Sequence, residues 1–285
     1  MPLVTVSEIL TDARKRTYGI PCFIGATMEM TLGAVTAAEE ISAPVILGYN
    51  EAVAPAIPMA AGMSMLVRAA KDARVPVATI LDHGTSYDAC VKAVRAGSSS
   101  VMFDGSHLDY EENIARTREV RRLTEPIGVA LEGELGSIGG SSFDNIESAA
   151  SRQNYTDPLQ AADYVDQTNV DLLAISFGNV HGPYRGDNAL DLDIVRQVFQ
   201  HVAIPLVMHG GSGLADELYP QIIDAGISKI NHYTTIARKG ALATAELCAQ
   251  QGGNIIEHML IARRIEFYHQ ESKRILQLFR ATGKA

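Results

Sequence analysis

Three histidines, His83, His181 and His209, each stand just after a short apolar run of the chain. Three imidazoles that meet in space can hold a zinc ion with a fourth position open, which is the arrangement of a catalytic zinc site and not of a closed structural one. Other polar residues share that placement. Asp82 and Gly84 flank His83, and Asp104, Gly105 and Ser106 follow the run at 100–103. Glu132 and Glu134 close the next run, Gly182 follows His181, Gly210, Gly211, Ser212 and Gly213 follow His209, and Asn231 ends the last run. For any single histidine the plain alternative is a satisfied core or surface residue. His107, His201, His232, His258 and His269 keep that reading, although His232 is close enough to the others to line the same pocket.

Positioning such residues together requires a scaffold that brings many chain segments to one end. The apolar runs lie at 20–24, 44–48, 76–81, 100–103, 127–132, 171–176, 205–208 and 228–231. Their continuous apolar character suits parallel strands covered on both faces. Proline opens three of them (Pro44, Pro76 and Pro205), at the strand position that tolerates it. Between the runs the apolar spacing becomes helical. In 86–96, Tyr87, Val91 and Val94 form a stripe, with Thr85 or Ser86 as cap and Gly97 as terminator. In 191–202 the stripe is Leu192, Val195, Val198, Phe199 and Val202, and in 157–168 Asp157 is the expected N-cap with Pro158 at the first helical position. Eight strands each followed by a helix predict an α/β fold, a single-domain TIM (β/α)8 barrel spanning 1–285, with an open doubly wound sheet as the structural alternative. In a barrel every polar residue named above converges on the C-terminal rim, where barrel active sites are built. The stretch 136–156 is the longest without helical or strand pattern and is expected to be an active-site lid.

Composition narrows the partners. The chain has 285 residues, near the roughly 250 of one barrel. Its formal net charge of −9 argues against nucleic acid. Three widely spaced cysteines without a CxxC pair suggest reduced thiols and a cytoplasmic location. No signal peptide and no membrane span are expected from the sequence.

The segments LDHG (81–84), VMFDGS (101–106), EGELGSIGG (132–140), NVHGPYRG (179–186), MHGGSG (208–213) and KIN (229–231) resemble, in order and spacing, the motif series of the class II fructose- and tagatose-bisphosphate aldolases. The resemblance covers nearly the whole chain, including the closing ATGKA (281–285). It implies that His83, His181 and His209 ligate Zn2+, that Asp82 is the acid/base serving the aldehyde oxygen, and that Glu134 and Asp104 are carboxylates near the metal, Glu134 at an alternative metal position. It further implies that Gly182, Gly210, Gly211, Ser212, Asn231 and Thr234 hold the phosphate of dihydroxyacetone phosphate, often beside a monovalent cation (Na+ or K+). The reaction implied is reversible cleavage of a ketose phosphate to dihydroxyacetone phosphate and an aldehyde, by a homodimer or homotetramer. Removing a proton next to a ketone leaves an enediolate, whose charge a zinc ion stabilises as a Lewis acid.

Two places depart from the family pattern. Ser142 stands where the lid Glu that moves the proton at carbon 3 is expected, and a serine is a poor general base without a partner; Asp144 or Glu147 is the candidate substitute. At the first two strands, Ile24 and Gly48 or Tyr49 stand where Asn and Ser usually hold the distal phosphate, leaving Arg68, Arg185, Arg263 and Arg264 as other anion-binding candidates. Weak cleavage of 1,6-bisphosphates and better cleavage of a ketose 1-phosphate are therefore expected. Two readings stay open beside the aldolase: a zinc hydrolase in which Asp82 activates water, and a sugar-phosphate-binding paralogue without catalysis.

Overall fold

The eight apolar runs form eight parallel strands that close on themselves. The computed structural model describes residues 2–25, 27–140, 150–184, 190–252 and 254–285. A two-residue strand β1 (Leu3–Val4) precedes the barrel strands, which are β2 (Ile20–Ile24), β3 (Val45–Asn50), β4 (Val77–Gly84), β5 (Ser100–Phe103), β6 (Ala130–Leu135), β7 (Leu172–Ile175), β8 (Leu206–Met208) and β9 (Ile227–His232). Each pairs in parallel with the next, and β9 pairs with β2, with Cys22 opposite Asn231, so the barrel is closed and the open-sheet alternative falls. β1 was not anticipated. It is short and adds to the lower end of β4 (Leu3 opposite Val77), where a two-residue pairing leaves no periodic signal.

The helices between the strands form the outer layer: α1 (Val6–Arg16), α2 (Met28–Glu40), α3 (Met59–Asp72), α4 (Tyr87–Arg95), α5 (Tyr110–Thr124), α6 (Pro158–Thr168), α7 (Leu192–His201), α8 (Leu218–Ala225), α9 (Thr234–Gln250) and α10 (Glu257–Leu278). Ser86 caps α4 by accepting from the Ala89 N–H, and Asp157 caps α6 by accepting from the N–H groups of Leu159 and Gln160. Asp82 is thereby free of the capping role that its position just before α4 would otherwise allow. The fifth run begins three residues later than its apolar pattern suggests, because Glu125–Ile127 makes a 3-10 turn that ends on Gly128 at φ 67°. α10 packs across α2 of its own barrel. A Cβ at Gly33 would lie 2.6 Å from Tyr268 Cβ, so this glycine permits the close helix crossing.

Side-chain alternation along the strands then builds the interior. On β3 a Cβ at Gly48 would point to Ile24, Cys22 and Ile80, inside the barrel, and Asn50, two residues on, points the same way at the rim. Tyr49 lies between them and faces outward, its hydroxyl donating to the Ile57 carbonyl. On β6 Glu132 and Glu134 share the inner face, as do Lys229 and Asn231 on β9.

Candidate active site

At the C-terminal rim the three strand-end histidines meet. Their ring centroids are 4.5 Å apart for His83–His209, 4.8 Å for His83–His181 and 5.7 Å for His181–His209. His83 Nε2 lies 3.1 Å from His181 Nε2 and 2.7 Å from His209 Nδ1.

Bringing adjacent Asp82 and His83 to one site needs a local departure from strand geometry, since neighbours on a regular strand face opposite ways. The pairing of β4 with β5 shifts register between Leu81 and Gly84, and His83 adopts a positive φ of 49°. Such a bulge re-aims a side chain at the strand end. Gly84 is required beside it: a Cβ there would come within 2.5 Å of the Met102 carbonyl. His181 is pinned by its own N–H, which donates to the Gly139 carbonyl at 2.8 Å. Gly210, at φ 67°, passes so close to the Val180 carbonyl that a Cβ would overlap it, which joins the His181 and His209 loops. Tyr184 reinforces the joint by donating to the Gly210 carbonyl, and Asn179 by donating to the carbonyl of His209.

The outward nitrogens of His83 and His209 are held. His83 Nδ1 lies 2.6 Å from Asp104 Oδ2, and His209 Nε2 lies 2.7 Å from Glu132 Oε1. Glu132 Oε2 in turn accepts from Lys229 Nζ at 2.8 Å, with both side chains fully buried. Such partners fix the tautomer and orientation of a metal-binding imidazole. The inner nitrogens therefore converge on one point. Burial opposes charge at His83, but Asp82, the hydrogen bond to Asp104 and Glu134 outweigh it and hold its pKa at about 10. Burial and the neighbouring His83 charge push His181 down to about 4 and His209 well below its usual value. The field of the carboxylates thus favours a positive charge at this point, and the donor set of three nitrogens fits a zinc ion there. A second set, His83, Asp104 and Glu134, also brings one atom each to within 4.8 Å. Burial and the nearby Asp104 raise Glu134 well above the usual carboxylate range, and its Oε2 has no hydrogen-bond partner among the described residues.

Asp82 sits beside this centre between two amides. Asn50 Nδ2 donates to its Oδ2 at 2.8 Å and Asn231 Nδ2 to its Oδ1 at 2.7 Å. Burial raises the Asp82 pKa, but the charges of His83, His209 and Lys229 and the Asn50 hydrogen bond outweigh burial, so the carboxyl is held below its ordinary value. A cleft opens from Asp82 and His181 past Gly182, Gly210, Ser212, Asn231 and Thr234, and Ile24 and Tyr233 complete its wall. Gly211 lies behind it, packed so tightly on Ile230 that a Cβ would fall 2.2 Å from Ile230 Cγ2.

Several expectations are sharpened or corrected here. Ile24 does face the cleft. Tyr49 does not, because alternation turns it outward, and the residue that β3 presents at the rim is Asn50. His232 does not line the cleft either: as Asn231 points inward, His232 points outward, against Tyr219 and Phe279. Arg68 pairs with Asp72 on the exposed face of α3, and Arg263 pairs with Glu266. Arg264 pairs with Glu29 and borders a cavity of about 400 Å3 that shares Tyr233 with the cleft. Ser142, Asp144, Glu147 and Arg185 lie outside the described residues, as does the middle of the expected lid. Asn50, Asn179 and the buried Glu132–Lys229 pair carried no assigned role in the sequence. Only the alternation Gly48–Asn50 and the KIN and EGE spacings could have put their side chains on the inner face.

A closed parallel barrel with a histidine and carboxylate cluster at its C-terminal rim, beside a glycine-bordered cleft, defines a (β/α)8 enzyme with a metal-type site. The family model for fructose-bisphosphate aldolase class-II matches residues 4–284, and the chain belongs to that family of carbon–carbon lyases. It is 37% identical over 252 residues to a probable fructose-bisphosphate aldolase of Bacillus subtilis (strain 168), covering 87% of each chain. It is 37% identical over 235 residues to the protein YdjI of Escherichia coli (strain K12), covering 82% of this chain and 84% of that one. The crystal structure of the YdjI aldolase superposes with a TM-score of 0.87 at 31% identity over 99% of both chains. Among the described residues no helix is long and apolar enough to cross a membrane.

Proposed function

We propose that this aldolase is zinc-dependent and cleaves a ketose phosphate reversibly to dihydroxyacetone phosphate and an aldehyde. The observation that carries the reading is the convergence of His83, His181 and His209 next to an Asp82 that lines the cleft. His83, His181 and His209 would hold the zinc ion, with Asp104 and Glu134 as nearby carboxylates. Zinc bound there supplies Lewis-acid stabilisation for negative charge that develops on the ketone side. Gly182, Gly210, Gly211, Ser212, Asn231 and Thr234 belong to the segments that take the phosphate, with a monovalent cation (Na+ or K+) beside it. In the cleavage direction Asp82 accepts the proton of the hydroxyl at carbon 4. The bond between carbons 3 and 4 breaks, its electron pair passes to the ketone half, and a proton added at carbon 3 completes dihydroxyacetone phosphate. The family reading also takes a homodimer or homotetramer and a cytoplasmic location.

For the substrate we favour a ketose 1-phosphate over a 1,6-bisphosphate. The Ile24 side chain at the end of β2 has no hydrogen-bond donor and the amide of Asn50 at the end of β3 is already engaged by Asp82, so neither strand end offers a side-chain donor to a second phosphate. A phosphate facing apolar groups loses hydration without a replacement hydrogen bond, at a cost of about 1–3 kcal/mol, or roughly one to two powers of ten in specificity. Steady-state kinetics on matched fructose 1-phosphate and fructose 1,6-bisphosphate should give the higher kcat/KM for the 1-phosphate. Asp82→Ala should lower kcat by about 10²–10⁴-fold with zinc content unchanged. A bisphosphate preferred over every 1-phosphate would overturn the substrate assignment. Full activity of chelator-stripped protein would overturn the mechanism.

A further inference from the structure

The carboxylate of Asp82 is held on both sides, and the two holders differ. Asn231 also lies 3.3 Å from His209 Nδ1 and borders the cleft, so it belongs to the centre itself. Asn50 does not border the cleft. It ends β3 directly opposite Asp82 in the register of β3 and β4. Its Nδ2 donates to Asp82 Oδ2 at 2.8 Å while its Oδ1 accepts the Ala52 N–H at 2.9 Å. The second bond assigns which end of the amide is the NH2 donor, because an inverted Asn50 would set its NH2 against a backbone donor. The turn that carries it is tied down in turn: Glu51 Oε2 accepts from the N–H and the hydroxyl of Thr85, just past β4. Asn50 is thus a buried donor fixed by β3, by its own turn and by the segment after His83, and its amide has Asp82 as its acceptor.

We propose that Asn50 is a positioning residue that aims the Asp82 carboxylate at the aldehyde-side oxygen and so governs the bond-breaking half of the reaction. A hydrogen bond to a charged carboxylate is strong and directional, and one on each oxygen fixes the plane of the group. Without the Asn50 donor, Asp82 keeps only the Asn231 bond and can rotate about it. On the aldolase reading Asp82 serves the aldehyde-side oxygen and not carbon 3, so exchange of the carbon-3 hydrogen does not depend on that plane. This inference rests on the aldolase reading above and assigns Asn50 a part in one of its two half-reactions.

The test compares the zinc-loaded protein with Asn50→Ala and with the near-isosteric Asn50→Leu, neither of which can donate to Asp82 or add a charge beside it. Three quantities are measured on each: zinc per chain, the rate of cleavage of fructose 1-phosphate and fructose 1,6-bisphosphate, and the exchange of the carbon-3 hydrogen of dihydroxyacetone phosphate with deuterated solvent. Both variants should keep their zinc, lose about 10–100-fold in cleavage kcat, and exchange hydrogen at the rate of the unmodified protein. Cleavage unchanged in both variants overturns the inference. So does an equal fall in cleavage and exchange, which would mean a general structural role. If the unmodified protein neither cleaves nor exchanges, the aldolase reading fails first, a result the unmodified protein alone reveals.

Discussion

His209 and His232 end neighbouring strands, and both are buried, yet one belongs to the candidate centre and the other does not. His209 points inward, its Nε2 against Glu132 and its Nδ1 toward His83. His232, one residue past the inward-facing Asn231, points to the outside of the barrel. Its neighbours are the rings of Tyr219 and Phe279 at 5.5 and 5.7 Å, and neither ring nitrogen has a hydrogen-bond partner among the described residues. A place at the rim therefore does not make a ligand. The face of the strand and a carboxylate behind the ring do.

The difference can be broken most sharply by removing each ring. His209→Ala should lose most of the bound zinc and nearly all activity, since two imidazoles hold zinc far less well than three. His232→Ala should keep about one zinc per chain. Metal analysis of the two purified variants checks this, and equal zinc loss in both would erase the distinction.

A smaller effect isolates the carboxylate behind the ring. Glu132→Gln leaves His209 in place but weakens the acceptor on its Nε2 and strips the buried Lys229 of its counter-charge. Burial alone would lower the Lys229 pKa, and Glu132, Cys22 and Asp82 together more than reverse that. Zinc affinity, read by competition with a chromogenic chelator, should fall by about 10–100-fold. An unchanged affinity would reduce Glu132 to a packing partner.

The same contrast marks how far the sequence could be read. The eight apolar runs match the eight barrel strands, since continuous apolar segments and helical stripes are local signals. The rim placement of His83, His181 and His209 follows from those runs. What was not visible is orientation across the barrel. Tyr49 and Asn50 exchange roles because a one-residue error in strand phase reverses the face. Glu132 and Lys229 are 97 residues apart, and neither sequence pattern nor spacing announces that they meet. The bulge at His83, which alone lets Asp82 and His83 serve one site, is a backbone event without a glycine at the bulged position itself.

The smallest expected effect concerns His232 and acid. Burial is the main cause that lowers its pKa, to about 3, and the charges of Arg274 and Lys239 add to it while Asp216 opposes. The imidazole is therefore neutral in the folded chain, whereas an unfolded chain takes up a proton near pH 6.5. The folded pKa is depressed, so folding loses stability as pH falls below about 6.5, down toward 3. At pH 5 the loss is about 2 kcal/mol relative to pH 8, from the difference between those two pKa values. Replacing the ring by a non-titrating one, His232→Phe, should remove this share of the acid sensitivity while the rest of the chain titrates as before. Urea unfolding of both proteins at pH 8 and pH 5 reads it as a change in their stability difference, so the other titrating groups cancel. His209, which zinc on its Nδ1 would keep neutral, adds an acid sensitivity of its own, but both proteins share it and it cancels in their difference. A stability difference between wild type and His232→Phe that stays constant from pH 8 to pH 5 would mean that His232 finds a partner when protonated. That result would narrow the gap between the two histidines from which the comparison began.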